Sequence, residues 1–467
     1  MLGAAARMLY NRTMPLWFDE TFTGVIAGQT TPGGLRHWLR TELTGPFYYG
    51  AMWFWAQVAG VSNAALRLPS LACTLAAPLF IYRRGHPDGT TRLLWAAVLL
   101  LWMPAAVLAS DARPYALLFL LGTLQIAAFC ALMRTPTRRA ALRWVLATLA
   151  IGLTHYVALL PGLVQAATLL AVQRRAALRL WPAALPFAVL IGWATVHLPF
   201  VMHVAGGGMR MSQTLTGYSV GYLPSLMVGD GLFAVLLVGS VAWSLVGRLH
   251  EVRGLPARPE TWTALAGVGG FAGLLAISLV VPGLALRYFL PTAPGMLFAA
   301  AWWLTTAARR GEPAAAAFLL AMTLGCAGVA SAGWRDTAID QRHAFGIDLP
   351  SRWLAERPVG RVLFFWSDTT ADLASGFDRN LEEIGGFFLR RGGQHVAVDV
   401  LRVPQSDPAA AVVLARAEAQ GDDAILWVGN ARSDLPQRQP DALLRSPRWE
   451  CRDFGAGQAM SLACRRR

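Results

Sequence analysis

Ten apolar runs, each near or above the length needed to cross about 30 Å of hydrocarbon, occupy most of the first 333 residues. They lie at 64–82, 93–109, 114–133, 141–156, 157–173, 183–200, 230–246, 262–281, 289–307 and 314–333. No single water-soluble core absorbs that much apolar sequence. In lipid each segment must satisfy its own backbone polar groups, so these runs are expected as helices. The expected fold is a polytopic α-helical membrane protein of about 10–11 spans, residues 1–333, followed by a soluble α/β domain at 334–467. Composition agrees, with 55% hydrophobic and 15% charged residues in 467, against about a quarter charged in soluble chains.

The formal charge of +14 is unevenly spread. From Trp334 onward 18 arginines cancel 18 acids, which leaves 23 arginines against nine acids in the membrane part. Those arginines gather in alternate connections, around Arg83 and Arg84, Arg138 and Arg139, Arg174 and Arg175, Arg253 and Arg258, and Arg309 and Arg310. The positive-inside rule places these connections in the cytoplasm. Segment 17–63, the turns at 110–114 and 154–156, the 201–229 loop, 282–288 and the tail then lie outside. The bilayer is thus an expected partner and nucleic acid is not. The expected location is the plasma (inner) membrane, multi-pass, with the C-terminal domain extracytoplasmic. Residues 1–16 are too short and too basic to span, so a truncated first helix, with the true start further upstream, is the favoured expectation.

After residue 333 short apolar stretches alternate with amphipathic ones. Strands are expected at Arg361–Trp366, His395–Leu401 and Ala424–Val428, with a helix at Pro408–Ala419. Cys451 and Cys464 sit near the ends of two further strands, free or paired, whereas Cys73, Cys130 and Cys326 read as packing residues. Gly269 and Gly273 have the spacing of a close helix crossing.

Ionisable groups near hydrocarbon are costly enough that each needs a reason. Asp19 and Glu20, in Trp-Phe-Asp-Glu, and Asp111, in Ser-Asp-Ala-Arg-Pro-Tyr, all fall at the outer face. They read either as solvated loop acids or as working carboxylates beside an aromatic anchor, where desolvation would raise basicity. Arg67, Arg113, Tyr115, His155, Tyr156, Arg287 and Tyr288 collect on the same face. Carboxylates and guanidiniums around an outer-leaflet cleft suit a phosphate carried by a lipid, because arginine binds phosphate through planar, charge-assisted bonds.

At these residues the sequence resembles the GT-C superfamily of polyprenyl-phosphate-dependent glycosyltransferases, specifically bacterial relatives of dolichyl-phosphate-mannose protein mannosyltransferases of the aminoarabinose-transferase-like kind. The resemblance rests on Leu16-Trp17-Phe18-Asp19-Glu20-Thr21, Gly45-Pro46-Phe47-Tyr48-Tyr49, Leu66-Arg67-Leu68-Pro69-Ser70, Asp111-Ala112-Arg113-Pro114-Tyr115, Thr154-His155-Tyr156 and Arg287-Tyr288-Phe289-Leu290-Pro291. It implies a hexosyl- or pentosyltransferase that moves a sugar, with inversion, from a polyprenyl-phosphate donor to a protein, lipid or polysaccharide acceptor. Asp19 would be the base, with Glu20 and Asp111 positioning the acceptor or a metal. Arg287, with Arg113 and His155, would hold the donor phosphate, and Arg67, Tyr115, Tyr156 and Tyr288 would line the site. The resemblance leaves the cofactor open, a divalent metal on Asp19 and Asp111 being its candidate. The rival readings are a transporter or flippase of an envelope precursor, and an inactive scaffold. No internal repeat supports the former, and the acidic turns speak against the latter.

Overall fold

The computed structural model describes residues 1–9, 14–206, 258–280, 286–335, 346–366, 378–401, 413, 416–418, 420–430, 441–455 and 459–467. The expected span at 230–246 lies outside them.

The membrane part begins with α1 (Leu2–Leu9), followed by three short helices, α2 (Phe18–Ala27), α3 (Pro32–Thr41) and α4 (Pro46–Ala59). Then come α5 (Asn63–Phe80), α6 (Gly89–Leu101), α7 (Pro104–Ala109), α8 (Tyr115–Arg134), α9 (Arg138–Thr154) and α10 (Leu160–Gln173). The short α11 (Arg175–Leu178) leads to α12 (Phe187–Gly206), α13 (Pro259–Val280), α14 (Ala293–Arg309) and α15 (Pro313–Arg335). Among the described residues, six continuous helical stretches have the length and apolar composition to cross a membrane.

Their starts follow from capping chemistry. Ser62, Asp88 and Thr137 precede α5, α6 and α9 and accept from the N–H groups of Ala65, Thr91 and Ala140, as short polar side chains do at helix N-caps. The expected run at 93–109 is instead two helices. Pro104 has no N–H to continue the ladder, and Trp102 leaves helical geometry to stack on Phe119 at 5.1 Å.

Helices α13 and α14 approach closely, and a Cβ at Gly267 would lie 2.5 Å from the carbonyl oxygen of Gly295. Gly269 and Gly273, the expected crossing residues, make ordinary or slightly tight contacts with Val164 and Leu160. The error was one of helix rotation, which a spacing alone does not specify.

The C-terminal part adds α16 (Asp348–Leu354), β1 (Arg361–Trp366), α17 (Asp378–Arg391), β2 (Ala397–Leu401), β3 (Ala424–Asn430), β4 (Trp449–Asp453) and β5 (Ala459–Arg466). The sheet order is β2-β1-β3-β5-β4, parallel across β2, β1 and β3 and antiparallel beyond. All three expected strands are present, and residues 413, 416–418 and 420 of the 408–420 region are helical. Cys451 and Cys464 stand opposite each other on β4 and β5 and form a disulfide.

Period-2 alternation divides the sheet's side chains between two cores. Leu363, Phe365, Ile425 and Trp427 pack with Val413, Ala417 and Leu443 on one face. Val362, Phe364, Leu426 and Val428 join Phe18, Trp38, Tyr49 and Leu66 on the other. The domain therefore has no apolar surface of its own towards the bundle, because it shares one core with α2 to α5.

Because Gly267 meets backbone, Gly267→Leu should separate α13 from α14 and lower the yield of monodisperse protein in detergent several-fold. Gly273→Leu, with room at 3.8 Å, should behave like the parent in the same size-exclusion measurement.

Candidate active site

The site forms where α2, the α3–α4 connection, the 110–114 turn, the 155–156 turn and the segment before α14 meet. Asp19 and Glu20 occupy the first turn of α2, where carboxylates complement the helix dipole. Being consecutive, they point about 100° apart, and their surroundings differ accordingly.

Glu20 is wholly buried and saturated. Its Oε1 accepts from Arg67 Nε at 2.8 Å and from the Ala112 N–H at 2.8 Å, and its Oε2 accepts from Arg67 Nη2 at 2.5 Å and from the Trp17 N–H at 3.1 Å. Arg67 completes its fork on the carbonyls of Met14 and Pro15. This geometry departs from the expectation for both residues. No lone pair of Glu20 is left for an acceptor or a metal, and Arg67 is committed to holding it. Asp111 also turns away from that expectation, accepting from Trp17 Nε1 at 3.0 Å while its carbonyl accepts from Ser70 Oγ.

Asp19 keeps about a fifth of its side chain exposed and lies between two guanidiniums, with Arg287 Nη1 at 3.0 Å and Arg113 Nη2 at 3.9 Å from Oδ2. Arg113 also donates to the Asp19 carbonyl at 3.0 Å and to Tyr49 Oη at 3.2 Å. The Tyr49 hydroxyl donates onward to Glu42 Oε1 at 3.4 Å. Burial pushes the Glu42 carboxyl above the usual carboxylate range, against the pull of Arg113. Tyr115 lies close enough to both guanidiniums to share their field.

His155 packs on Tyr288 with centroids 4.9 Å apart. Burial, reinforced by the charges of Arg113 and Arg287, lowers its pKa from 6.5 to about 4, so at neutral pH the imidazole is uncharged. Its Nδ1 and the Nε atoms of Arg113 and Arg287 are buried without a hydrogen-bond partner among the described residues. Buried donors in that state call for an acceptor. Tyr156 leaves this group, pairing its hydroxyl with His197 Nδ1 at 3.0 Å, while His197 Nε2 donates to the Glu42 carbonyl at 2.8 Å.

Six of the ten expected residues thus form one cluster: Asp19, Arg113, Tyr115, His155, Arg287 and Tyr288. Glu42, Tyr49 and His197 were missed. Glu42 was detectable as the third acid of the outer segments among only nine in the membrane part. His197 lies within an apolar run and carried no signal.

Asp19 and Asp111 do not belong to a three-ligand group. Among the described residues, the one set of three potential ligands within 4.8 Å of one another is His86, Cys130 and Glu260, at the Arg-rich end of the bundle. There Arg134 donates to Glu260 at 2.8 Å and to Cys130 Sγ at 3.1 Å, while His86 Nδ1 accepts from the Asp88 N–H. That leaves Nε2 as the nitrogen that donates, to Glu260 Oε1 at 3.2 Å. A resident guanidinium and that donating nitrogen fit an ion-pair cluster and not a metal centre.

No protein-family model and no curated protein matches the chain. Solved structures do. ArnT from Cupriavidus metallidurans bound to undecaprenyl phosphate superposes with TM-score 0.59 at 13% identity, covering 99% of this chain and 96% of that one. Its apo form gives the same score and identity, with 99% and 95% covered. The Archaeoglobus fulgidus oligosaccharyltransferase in complex with zinc and sulfate gives 0.50 at 12% identity, covering 91% and 67%. The chain has the GT-C fold.

Two outcomes follow from the site. Glu20→Gln should lose much of the folded protein, since breaking a buried pair costs about 3–5 kcal/mol, while Asp19→Asn at a partly exposed position should keep its melting temperature to within a few degrees. Acidification gives the second. Because the folded pKa of His155 lies below the unfolded one, its neutral form contributes stability above pH 6.5 that is lost as pH falls towards about 4. His155→Gln should flatten that part of a melting-temperature profile.

Proposed function

We propose that the chain is a glycosyltransferase that moves a sugar from a polyprenyl-phosphate donor to a hydroxyl of an envelope acceptor, with inversion. The observation that carries this is Asp19, a partly exposed carboxylate held between the guanidiniums of Arg113 and Arg287. The fold shared with ArnT, solved with undecaprenyl phosphate, supports a lipid-linked donor.

In this reading the donor phosphate takes the forks of Arg287 and Arg113 and meets the unpartnered nitrogens beside them, releasing Asp19 Oδ2 from Arg287. Asp19 accepts the proton of the acceptor hydroxyl as its oxygen attacks the anomeric carbon. The bond from that carbon to the phosphate oxygen breaks on the opposite side, and polyprenyl phosphate leaves with the electron pair. Its growing charge is what the guanidiniums stabilise. A phosphate leaves without a proton, so one base suffices. No step is routed through a metal here, since among the described residues Asp19 and Asp111 fall in no group of three potential ligands.

The same reading places the site and the sheet domain on the outer face of the plasma membrane. The Arg-rich connections at the opposite end support cytoplasmic placement of that end, and the Cys451–Cys464 bridge suits an oxidising compartment.

With purified protein, sugar transfer from a polyprenyl-phosphate sugar should proceed and transfer from a nucleotide sugar should not. Asp19→Asn should lower turnover by roughly a hundredfold or more. Arg287→Ala should raise the donor KM more than the acceptor KM, and Lys should restore only part because the planar fork is lost. Normal turnover in Asp19→Asn would remove it as the base.

A further inference from the structure

We propose that the C-terminal sheet domain is a working part of the site, its helix α17 acting as a clamp that sets Asp19 and Glu42 beside Arg113. This rests on the reading of Asp19 as the base. The two acids stand near opposite ends of the segment 16–42, and the domain holds that segment along its length.

At its start, the Leu16 N–H donates to Asp348, a buried carboxylate that also receives Asn63 and Arg352. In the middle, α2 rests on Phe387, whose ring lies 2.6 Å from where a Cβ on Gly24 would be. Beyond it, Glu383 Oε2 accepts from Trp38 Nε1 at 2.5 Å and from Gln29 Nε2 at 2.7 Å. At the far end Asn380, almost wholly buried, pairs with His37 Nε2 at 2.7 Å and donates to Thr41 Oγ1 at 3.1 Å. Glu42 follows directly.

The bundle holds the same acid from the other side, where His197 Nε2 donates to the Glu42 carbonyl. Arg113, Arg287 and His155, by contrast, come from the membrane helices and their turns. The separation of Glu42 from the cations is therefore set across the contact between domain and bundle, while Asp19 is held from both sides, by the domain through α2 and by the bundle through Glu20. A shift of about 1 Å in such a separation costs on the order of a hundredfold in rate. Asn380 and Glu383 are positioning residues in this account, since they bond to α3 and to Gln29 in the α2–α3 connection and to no reacting atom.

The test uses the full chain in detergent with Glu383→Ala, Asn380→Ala and the milder Glu383→Gln, which keeps an acceptor for Trp38 and Gln29. Three quantities are read: amide hydrogen exchange over residues 29–45, binding of undecaprenyl phosphate alone, and turnover with a polyprenyl-phosphate sugar. Both alanine variants should speed exchange in that segment, leave undecaprenyl phosphate affinity within about twofold, and lower kcat by roughly ten- to a hundredfold. Glu383→Gln should recover most of the loss. Unchanged exchange in Glu383→Ala, faster exchange with unchanged kcat, or an equal loss of lipid-phosphate binding would each overturn the clamp. Absence of transfer by the parent protein would overturn the base assignment instead, while the exchange measurement would still decide whether the domain holds the segment.

Discussion

Much of the arrangement depends on one buried pair, Glu20 with Arg67. The carboxylate accepts four hydrogen bonds from three places in the chain: the Trp17 N–H at the start of α2, Arg67 on α5, and the Ala112 N–H in the turn between α7 and α8. A pair this deep is a weak source of net stability, because desolvating two charges offsets most of their attraction. It is exacting about geometry, however, since any displacement leaves a charge buried without its partner. With Glu20 locked inward, the helical step fixes Asp19 outward, and the 110–114 turn that Glu20 grips delivers Arg113 to the same place. One structural ion pair thereby orients Asp19 and one of its two cations.

The second constraint is the shared core. Strands β1 and β3 are apolar on both faces, as buried parallel strands are, and one face is completed by residues of α2 to α5. The short helices α2 to α4 have their apolar sides covered only when sheet and bundle are both present. α4 shows the limit of that cover, with Tyr48 and Met52 buried while Phe54 and Val58 remain exposed on the opposite side. Such a contact transmits position well, because close-packed cores shift in discrete steps and do not flow.

Legibility in the sequence followed how local each signal was. Spans and strands were readable because periodicity and length are properties of a short window, and the break at Pro104 was missed only because the apolar run continues through it. The clustering of Asp19, Arg113 and Arg287 was readable because scarce charges in apolar sequence stand out. The division of labour between Asp19 and Glu20 was not, since adjacent acids look alike until the helix phase is known. Asp111 was expected in the chemistry because it stands in the acidic turn, yet there the backbone and Arg113 carry the contact with the site. His197 was invisible for the opposite reason, its partners lying 41 and 155 residues away.

Charge balance in the cleft links these observations to turnover. At rest the guanidiniums of Arg113 and Arg287 face two carboxyls, Asp19 and Glu42, and if both are ionised the group is neutral. In the proposed reaction a sugar phosphodiester adds one negative charge, and its departure as a phosphate monoester adds more. Burial favours the protonated form of Glu42, so in that reaction the added charge can be met by protonating Glu42. The acid that must accept a proton is the partly exposed one, with two cations beside it. The acid that can do without its charge is Glu42, tied to the Tyr49 hydroxyl. On the proposed function, two carboxyls that share Arg113 would thus take different roles, leaving the guanidiniums to follow the departing phosphate.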